Sequence, residues 1–456
     1  MTTIKREIKP LPKDEINFTL PAIEQFTLSN GLKVFFIQKQ KLPIIQLSLV
    51  FDAGSKYDPA GKKGLANLFA MLVDEGAGEF DSLQLSDEFD MLGTHFNVST
   101  TEDNIYFSLQ SLTENFKRSA ELFAKVLTAP HLNEKDFERE RRKIITRLLQ
   151  LKDEPDEIAD LVFSKRVLGE ANPYAYPVSG YEKDITSTSI DDVRTFYKNF
   201  IHPNNGSIIA VGDISKGSLE VQLNSLLAGW EPKSPYQVEH KITEDKKFKL
   251  FIVDKKDAVQ SEIRAGHTAA RRNETDYYSK TLVNMILGGQ FTSRINLNLR
   301  EKNGFTYGAT SRFSYLKDDA FFSVSTSVNT ENTLPALKEI INELNGIRAG
   351  ISEEEIEFAK SSLIRKFPSN FETYRQIATN LTAMVIHSLP KDYFNRYIEN
   401  ISSVTLDEAN TIANGSILPG ELKIVIVGDK SKLKPQFEAA YGNIFEADMN
   451  GDLLDI

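Results

Sequence analysis

Six histidines are the residues of this chain best suited to hold a metal or move a proton near neutral pH, and their spacing argues against both. His95, His131, His202, His240, His267 and His387 form no i, i+3 or i, i+4 pair, so no helix aims two imidazoles at one ion. Each reads as an isolated surface or core residue. There is no cysteine, which excludes disulfides and thiolate metal sites and leaves the compartment open. A Ser-His-Asp arrangement assembled from distant residues stays open, but no Gly-x-Ser-x-Gly elbow is present, and Gly-Gly-Gln-Phe-Thr-Ser lacks the Lys-Ser/Thr ending of a phosphate loop. The run Leu287 to Gly308 offers Arg300 and Tyr307, seven residues apart. An Arg can hold a carbonyl through a charged donor, and a Tyr hydroxyl can donate to an oxygen that becomes negative as water adds. An Arg near a helix C-terminus also complements the dipole, and an aromatic in a strand is ordinary core material, so the two residues alone leave both readings open. Gly304 predicts that the Tyr lies beyond the helix end, on a turn or strand. Gly288 and Gly289 read either as a helix stop or as a place where a peptide approaches closely.

Those residues need a scaffold. A chain of 456 residues with 41% hydrophobic content has apolar surface for about two to four domains. The net charge of -10, with bases scattered among acids, argues against a nucleic-acid footprint. The basic cluster Arg139, Arg141, Arg142 and Lys143 sits among Glu138 and Glu140 and reads as a solvated helix face. No uncharged apolar stretch approaches the ~20 residues of a membrane span. Met1 to Leu20 lacks the apolar run of a secretory signal, which favours the cytoplasm, with the periplasm open if the chain is a processed form.

Sliding the sequence against itself reveals a unit used twice. Ser189 to Ser215 aligns without a gap on Thr405 to Ser431, with about a third of the positions identical. Both copies read as an acid-capped helix, a Pro-containing turn, an apolar β-branched strand (Ile208 to Val211, Ile424 to Val427) and a Gly-Asp turn. Phe107-Ser108 and Phe322-Ser323 mark a second matching pair of strands, each followed by two helical patterns. Phe116, Ala120, Phe123 and Leu127, then Phe137, Ile144 and Leu148, fall at helical spacing, while Val34 to Ile37, Gln46 to Phe51 and Phe321 to Val328 alternate as strands. The expected fold is α+β: two homologous two-layer α/β sandwich halves, each a mostly antiparallel sheet covered by helices. Their expected spans are 1–236 and 247–456, joined by a charged, Pro-containing linker at 237–246.

The run Gly54 to Ala77 (GSKYDPAGKKGLANLFAMLVDEGA) resembles the start of the insulinase/pitrilysin metallopeptidases, in the branch that includes mitochondrial processing peptidase and its bacterial relatives. The Asn-Gly-Leu turn at Asn30, the helix Phe137 to Lys152, the Asp-Glu-Pro that follows and the Val-Gly-Asp strands agree with it, so the resemblance covers nearly the whole chain. In active relatives a helix bears His-x-x-Glu-His, two zinc ligands on one face with a Glu that deprotonates a bound water, and a distant Glu completes the site. Here the corresponding positions are Asn67, Ala70 and Met71, and the distal Glu position, 76 residues beyond Met71, falls on Arg147. None can do the family's job, and the fixed charge of Arg147 opposes a dication. Arg300 and Tyr307 match the family's second signature, in a frame kept by Gly288, Gly289, Ser293, Arg294, Leu299, Glu301, Gly304 and Gly308.

The resemblance therefore implies a division of labour. The chain is expected to hold no cofactor and to be inactive alone, with a zinc-bearing homologous peptidase subunit as partner. Arg300 and Tyr307 would bind substrate and stabilise the oxyanion in that partner's site, Gly288 and Gly289 would line the peptide path, and the substrate would be a peptide or unfolded segment. Two other readings stay open: a non-catalytic scaffold, and a module that holds extended peptides without cutting them.

Overall fold

The computed structural model describes residues 16–234, 245–272 and 275–454. Most of the expected linker, and most of the N-terminal stretch read for a signal, lie outside the described residues. Two six-stranded sheets organise the chain, in the orders β1-β2-β6-β3-β5-β4 and β12-β7-β11-β8-β10-β9. The first comprises β1 (Glu24–Thr27), β2 (Lys33–Gln38), β3 (Ile44–Phe51), β4 (His95–Thr100), β5 (Ile105–Leu112) and β6 (Gly206–Gly212). The second comprises β7 (Lys249–Asp254), β8 (Gln260–Thr268), β9 (Ala309–Tyr315), β10 (Ala320–Asn329), β11 (Lys423–Gly428) and β12 (Phe445–Ala447). Apart from β1 and β12, the two orders coincide. β6 runs parallel to β2 and antiparallel to β3, as β11 does to β7 and β8. The aligned segments thus occupy equivalent places, and the helices ahead of them, Ile190–Phe200 and Leu406–Ser416, both open on capping boxes, Ser189 with Asp192 and Thr405 with Glu408.

The expected amphipathic helices form as Phe116–Thr128 and Glu134–Leu151, with Phe116, Ala120, Phe123, Leu127, Phe137, Ile144 and Leu148 all buried. The charged face of the second is less solvated than its composition predicts. Glu140 is buried, and Arg139 ties it to Asp136 and to Glu75 beyond the helix.

The structure adds a third layer that helical spacing did not reveal. Ile208 and Ala210 of β6 face the helices of their own half, whereas Ile209 and Val211 face Tyr374, Ile377, Ala378 and Leu381 of a helix from the other half, Tyr374–Ile386. The exchange is reciprocal. Ile424 and Ile426 of β11 join their own core, while Val425 and Val427 pack with Ile158, Ala159, Val162 and Phe163 of the helix Pro155–Leu168. Strands buried on both faces read as unbroken apolar runs, which is what both copies show.

A polar latch joins the halves beside this exchange. The Lys56 side chain is fully buried, with Nζ 2.9 Å from Asp103, 3.4 Å from Asp52 and 3.1 Å from Asp318 of the β9–β10 turn. Burial opposes its charge, but Asp103 and Asp52 more than offset that penalty and raise its pKa. The same turn donates the Lys317 backbone N–H to Asp103 at 2.8 Å and takes a bond from the Asn172 amide to Asp319 at 2.6 Å.

Of the described histidines, His387 is half-buried. His95 and His131 are exposed, His202 and His267 buried, and His240 lies outside the described residues. His267 donates from Nδ1 to the Thr268 carbonyl at 2.8 Å and accepts at Nε2 from the Leu418 N–H at 3.1 Å, so the ring is held neutral. Burial lowers its pKa to about 4. The unfolded chain therefore takes up this proton first. The stability contributed by neutral His267 is complete above the ordinary pKa of about 6.5 and is lost as pH falls from there toward 4. Urea unfolding at pH 7 and pH 5 is expected to differ by roughly 2 kcal/mol on this account. A His267→Gln variant should show that much less acid sensitivity, and an unchanged pH profile would contradict the assignment.

Candidate functional site

The helix Leu65–Leu72 is short and anchored at its start. Asp58 accepts from the backbone N–H of Gly64 at 2.7 Å and of Ala66 at 2.9 Å, supplying the anion that a helix N-terminus favours. Burial nonetheless pushes its carboxyl up to about 7. The helix packs against Glu134–Leu151, which carries Arg147. Between these helices and Pro155–Leu168 lies a cavity of about 1520 Å³. Asn67 and Arg147 both line it, so the structure brings these two candidate positions to one space. Ala70 is buried, and Met71 is half-buried and packs on the N-terminal core.

This donor set does not fit zinc. An amide, a methyl group, a thioether and a guanidinium replace two imidazoles, a base and a carboxylate, and among the described residues no three His, Asp or Glu side chains converge to hold an ion. Metal analysis of dialysed protein is expected to find no stoichiometric zinc. About one tightly held ion per chain would refute this.

Arg300 and Tyr307 lie elsewhere; neither lines the cavity, and neither do Gly288 and Gly289. The helix Tyr277–Leu287 ends at Gly288, where a Cβ would sit 2.5 Å from Ser311 Oγ and 2.6 Å from its backbone nitrogen. The close approach at Gly288 is therefore to β9 of this chain. Arg300 belongs to a π-helical turn, Leu297–Lys302, a rare geometry that concentrates at functional sites and leaves no mark in side-chain spacing. Its guanidinium carbon stands 4.3 Å from the Phe291 ring centroid, and Nη1 is 3.3 Å from Glu301 as an ion pair without hydrogen-bond geometry. Gly304 takes φ +65, which turns the chain out of the helix and delivers Tyr307 to the bend just before β9. Tyr307 is 95% exposed, and Phe291 and Leu297 of the same stretch of sequence are exposed as well.

Sequence spacing missed the latch residues Lys56, Asp103 and Asp318, which come from three separate segments, and the four tyrosines of the cavity wall, of which Tyr174 donates its hydroxyl to Asp103 of the latch. The only signal was indirect: Tyr57, Tyr174, Tyr176 and Tyr181 fall near Pro59, Pro173 and Pro177 in two short runs.

Two family profiles match the chain: the insulinase peptidase M16 profile over residues 33–172, and the profile described as the M16 inactive domain over residues 187–363. A Helicobacter pylori protein named non-peptidase homolog YmxG is 24% identical over 88% of this chain and 93% of its own length. The zinc protease PqqE of the same organism is 26% identical over 79% of this chain and 82% of its own. A crystal structure described as a peptidase M16 inactive domain, from Pseudomonas fluorescens, superposes with a TM-score of 0.83 at 26% identity, covering 89% of this chain and 98% of that one. Twin sheets in one strand order, a helix at the metal position without metal donors, and matches spanning both halves have one common source: the chain belongs to the insulinase, or M16, peptidase family, as a non-catalytic member.

Proposed function

We propose that this chain is the metal-free subunit of a two-chain zinc endopeptidase and that it lends Arg300 and Tyr307 to a substrate bound at its partner's metal. The observation that carries this reading is the exposure of Tyr307: an aromatic ring held 95% in solvent, its hydroxyl without a partner among the described residues, serves nothing inside this fold. Its position away from the chain's own cavity fits a role in another subunit. Exposed Phe291 and Leu297, from the same stretch of sequence, supply apolar surface of the kind that interfaces cover. One organism carries both a relative named a non-peptidase homolog and one named a zinc protease, the pairing that this reading requires.

Within the complex, the chain's residues would orient and polarise. The Arg300 fork would hold a backbone carbonyl, and the Tyr307 hydroxyl would donate to the oxygen that gains charge as water adds. The metal and the base would come from the partner. The test is to assay this chain alone, the zinc-bearing homologue alone, and the mixture against an unstructured peptide library. Cleavage that requires both chains supports the proposal; a homologue that is fully active alone, or fails to associate, favours the scaffold reading.

A further inference from the structure

The position that holds a zinc-binding carboxylate in active relatives carries a guanidinium here, and the space around it remains open. The cavity of about 1520 Å³ exceeds the roughly 300–1,000 Å³ of ordinary small-molecule sites, and Tyr57, Tyr174, Tyr176 and Tyr181 stand in its walls. It suits a peptide segment better than a single small metabolite.

Most charges lining it are already neutralised. Lys152 pairs with Glu182 at 2.9 Å, Asp160 with Arg264 at 2.5 Å, Lys165 with Asp452, and Lys56 with the latch carboxylates. Three lining cations have no ion pair among the described residues: Lys63, which donates to the Asp58 backbone carbonyl at 2.7 Å, Lys183, whose ammonium stands 5.9 Å from the Tyr181 ring centroid, and Arg147. Among the described residues Arg147, exposed to the cavity, has no ion pair or hydrogen bond, and Asn67, on the helix packed against its own, likewise has no hydrogen bond. A planar guanidinium fork presents two parallel N–H donors, the geometry of a bidentate carboxylate contact, and the Asn amide can add a third donor. Glu102 and Glu157 line the same cavity, so a dianion such as phosphate meets about twice the repulsion that a single negative charge does.

We propose that Arg147, with Asn67, forms a peptide-carboxylate site in this cavity, so that the chain grips an anionic group of an extended peptide at the place where active relatives hold zinc. The proposal is independent of Arg300 and Tyr307, because it concerns binding by this chain alone.

The test uses the full chain and three fluorescein-labelled decapeptides of Ala, Ser, Gly and Leu: one with a free C-terminus, one amidated, and one amidated with a single internal Glu. Fluorescence anisotropy is expected to show about tenfold tighter binding of a carboxylate-bearing peptide than of the plain amide, a difference equal to one charge-assisted contact. Tight binding of the free C-terminus alone identifies a terminal carboxylate as the ligand; tight binding of the Glu form identifies a side chain. Arg147→Gln should abolish the preference, Arg147→Lys should retain part of it, and Arg300→Ala should leave it intact. Position 147 is exposed, so an unchanged unfolding midpoint will show that the variants fold. Equal binding of all three peptides, no measurable binding of any, a preference that survives Arg147→Gln, or one that is lost instead with Arg300→Ala would each overturn the proposal.

Discussion

Replacing Lys56 by Met is expected to lower the unfolding free energy by roughly 3 kcal/mol or more, one of the largest losses available to a single substitution outside the hydrophobic cores. The Lys56 ammonium is fully buried among Asp103, Asp52 and Asp318. Met fills the volume but removes the cation the three carboxylates share; Asp52 keeps its ion pair with Lys317, whereas Asp103, the most enclosed, keeps among the described residues only the Tyr174 hydroxyl and the Lys317 N–H as donors. Breaking one side of a buried pair costs about 3–5 kcal/mol because the remaining charge is stranded. The measurement is the urea midpoint of Lys56→Met against the unchanged chain. The double variant Lys56→Met with Asp103→Asn should lose less than the two single changes added together. Asp318 belongs to the C-terminal half, so the weakened latch should also expose the β9–β10 turn at residues 316–319 to limited proteolysis. An unfolding free energy within 0.5 kcal/mol of the parent, about the size of an ordinary surface change, would show that the cluster contributes nothing to cohesion.

The latch also shows where sequence reasoning ends. Lys56, Asp103, Tyr174 and Asp318 are charged or polar residues in four turns, and no periodicity links residues that meet only after the sheets have formed. The elements themselves were legible. Phe116, Ala120, Phe123 and Leu127 marked a helix because one stripe had to face one sheet, and the aligned Ile208 to Val211 and Ile424 to Val427 marked equivalent strands. A further signal lay in those same strands: apolar residues without alternation require burial on both faces, which implies the borrowed helices Pro155–Leu168 and Tyr374–Ile386. Another was the tripeptide Thr-Glu-Asn, which forms the short 3₁₀ turn ahead of the first long helix in each half, at Thr113–Asn115 and Thr330–Asn332.

The candidate site divides in the same way. The unsuitability of Asn67, Ala70, Met71 and Arg147 for zinc follows from their side-chain chemistry, whatever the fold. That Asn67 and Arg147 share an open cavity, while Met71 turns into the core, depends on how two helices pack. Gly304 foretold that Tyr307 leaves the helix, because a left-handed residue ends an α-helical run. The π-helical turn at Arg300 had no such signature. Residues 297–302 form a sequence that an ordinary α-helix also accommodates, and their widening came only with the structure.

In the complex with a zinc-bearing homologue, Tyr307→Phe is expected to reduce turnover about 10²–10³-fold while leaving KM close to its original value. A hydroxyl that bonds the oxyanion strengthens its contact only as charge develops, so its loss falls on the transition state. Here the substitution is unusually clean. The ring is 95% exposed and its hydroxyl bonds no described residue, so deleting one oxygen removes no packing and no internal hydrogen bond. Stability, association and the partner's zinc content should all match those of the unmodified complex. Arg300→Ala makes an informative contrast. Its guanidinium rests 4.3 Å from the centre of the Phe291 ring and pairs with Glu301, so truncation also uncovers that ring and frees that carboxylate. Loss of a carbonyl anchor acts on the bound substrate as well as on the transition state, so Arg300→Ala should raise KM in addition to lowering turnover. Single-turnover measurements with saturating peptide separate the two effects. If Tyr307→Phe, assembled with its partner, cleaves at the parental rate, the hydroxyl takes no part in the chemistry, and the exposed tyrosine would then be an interface residue of a scaffold subunit.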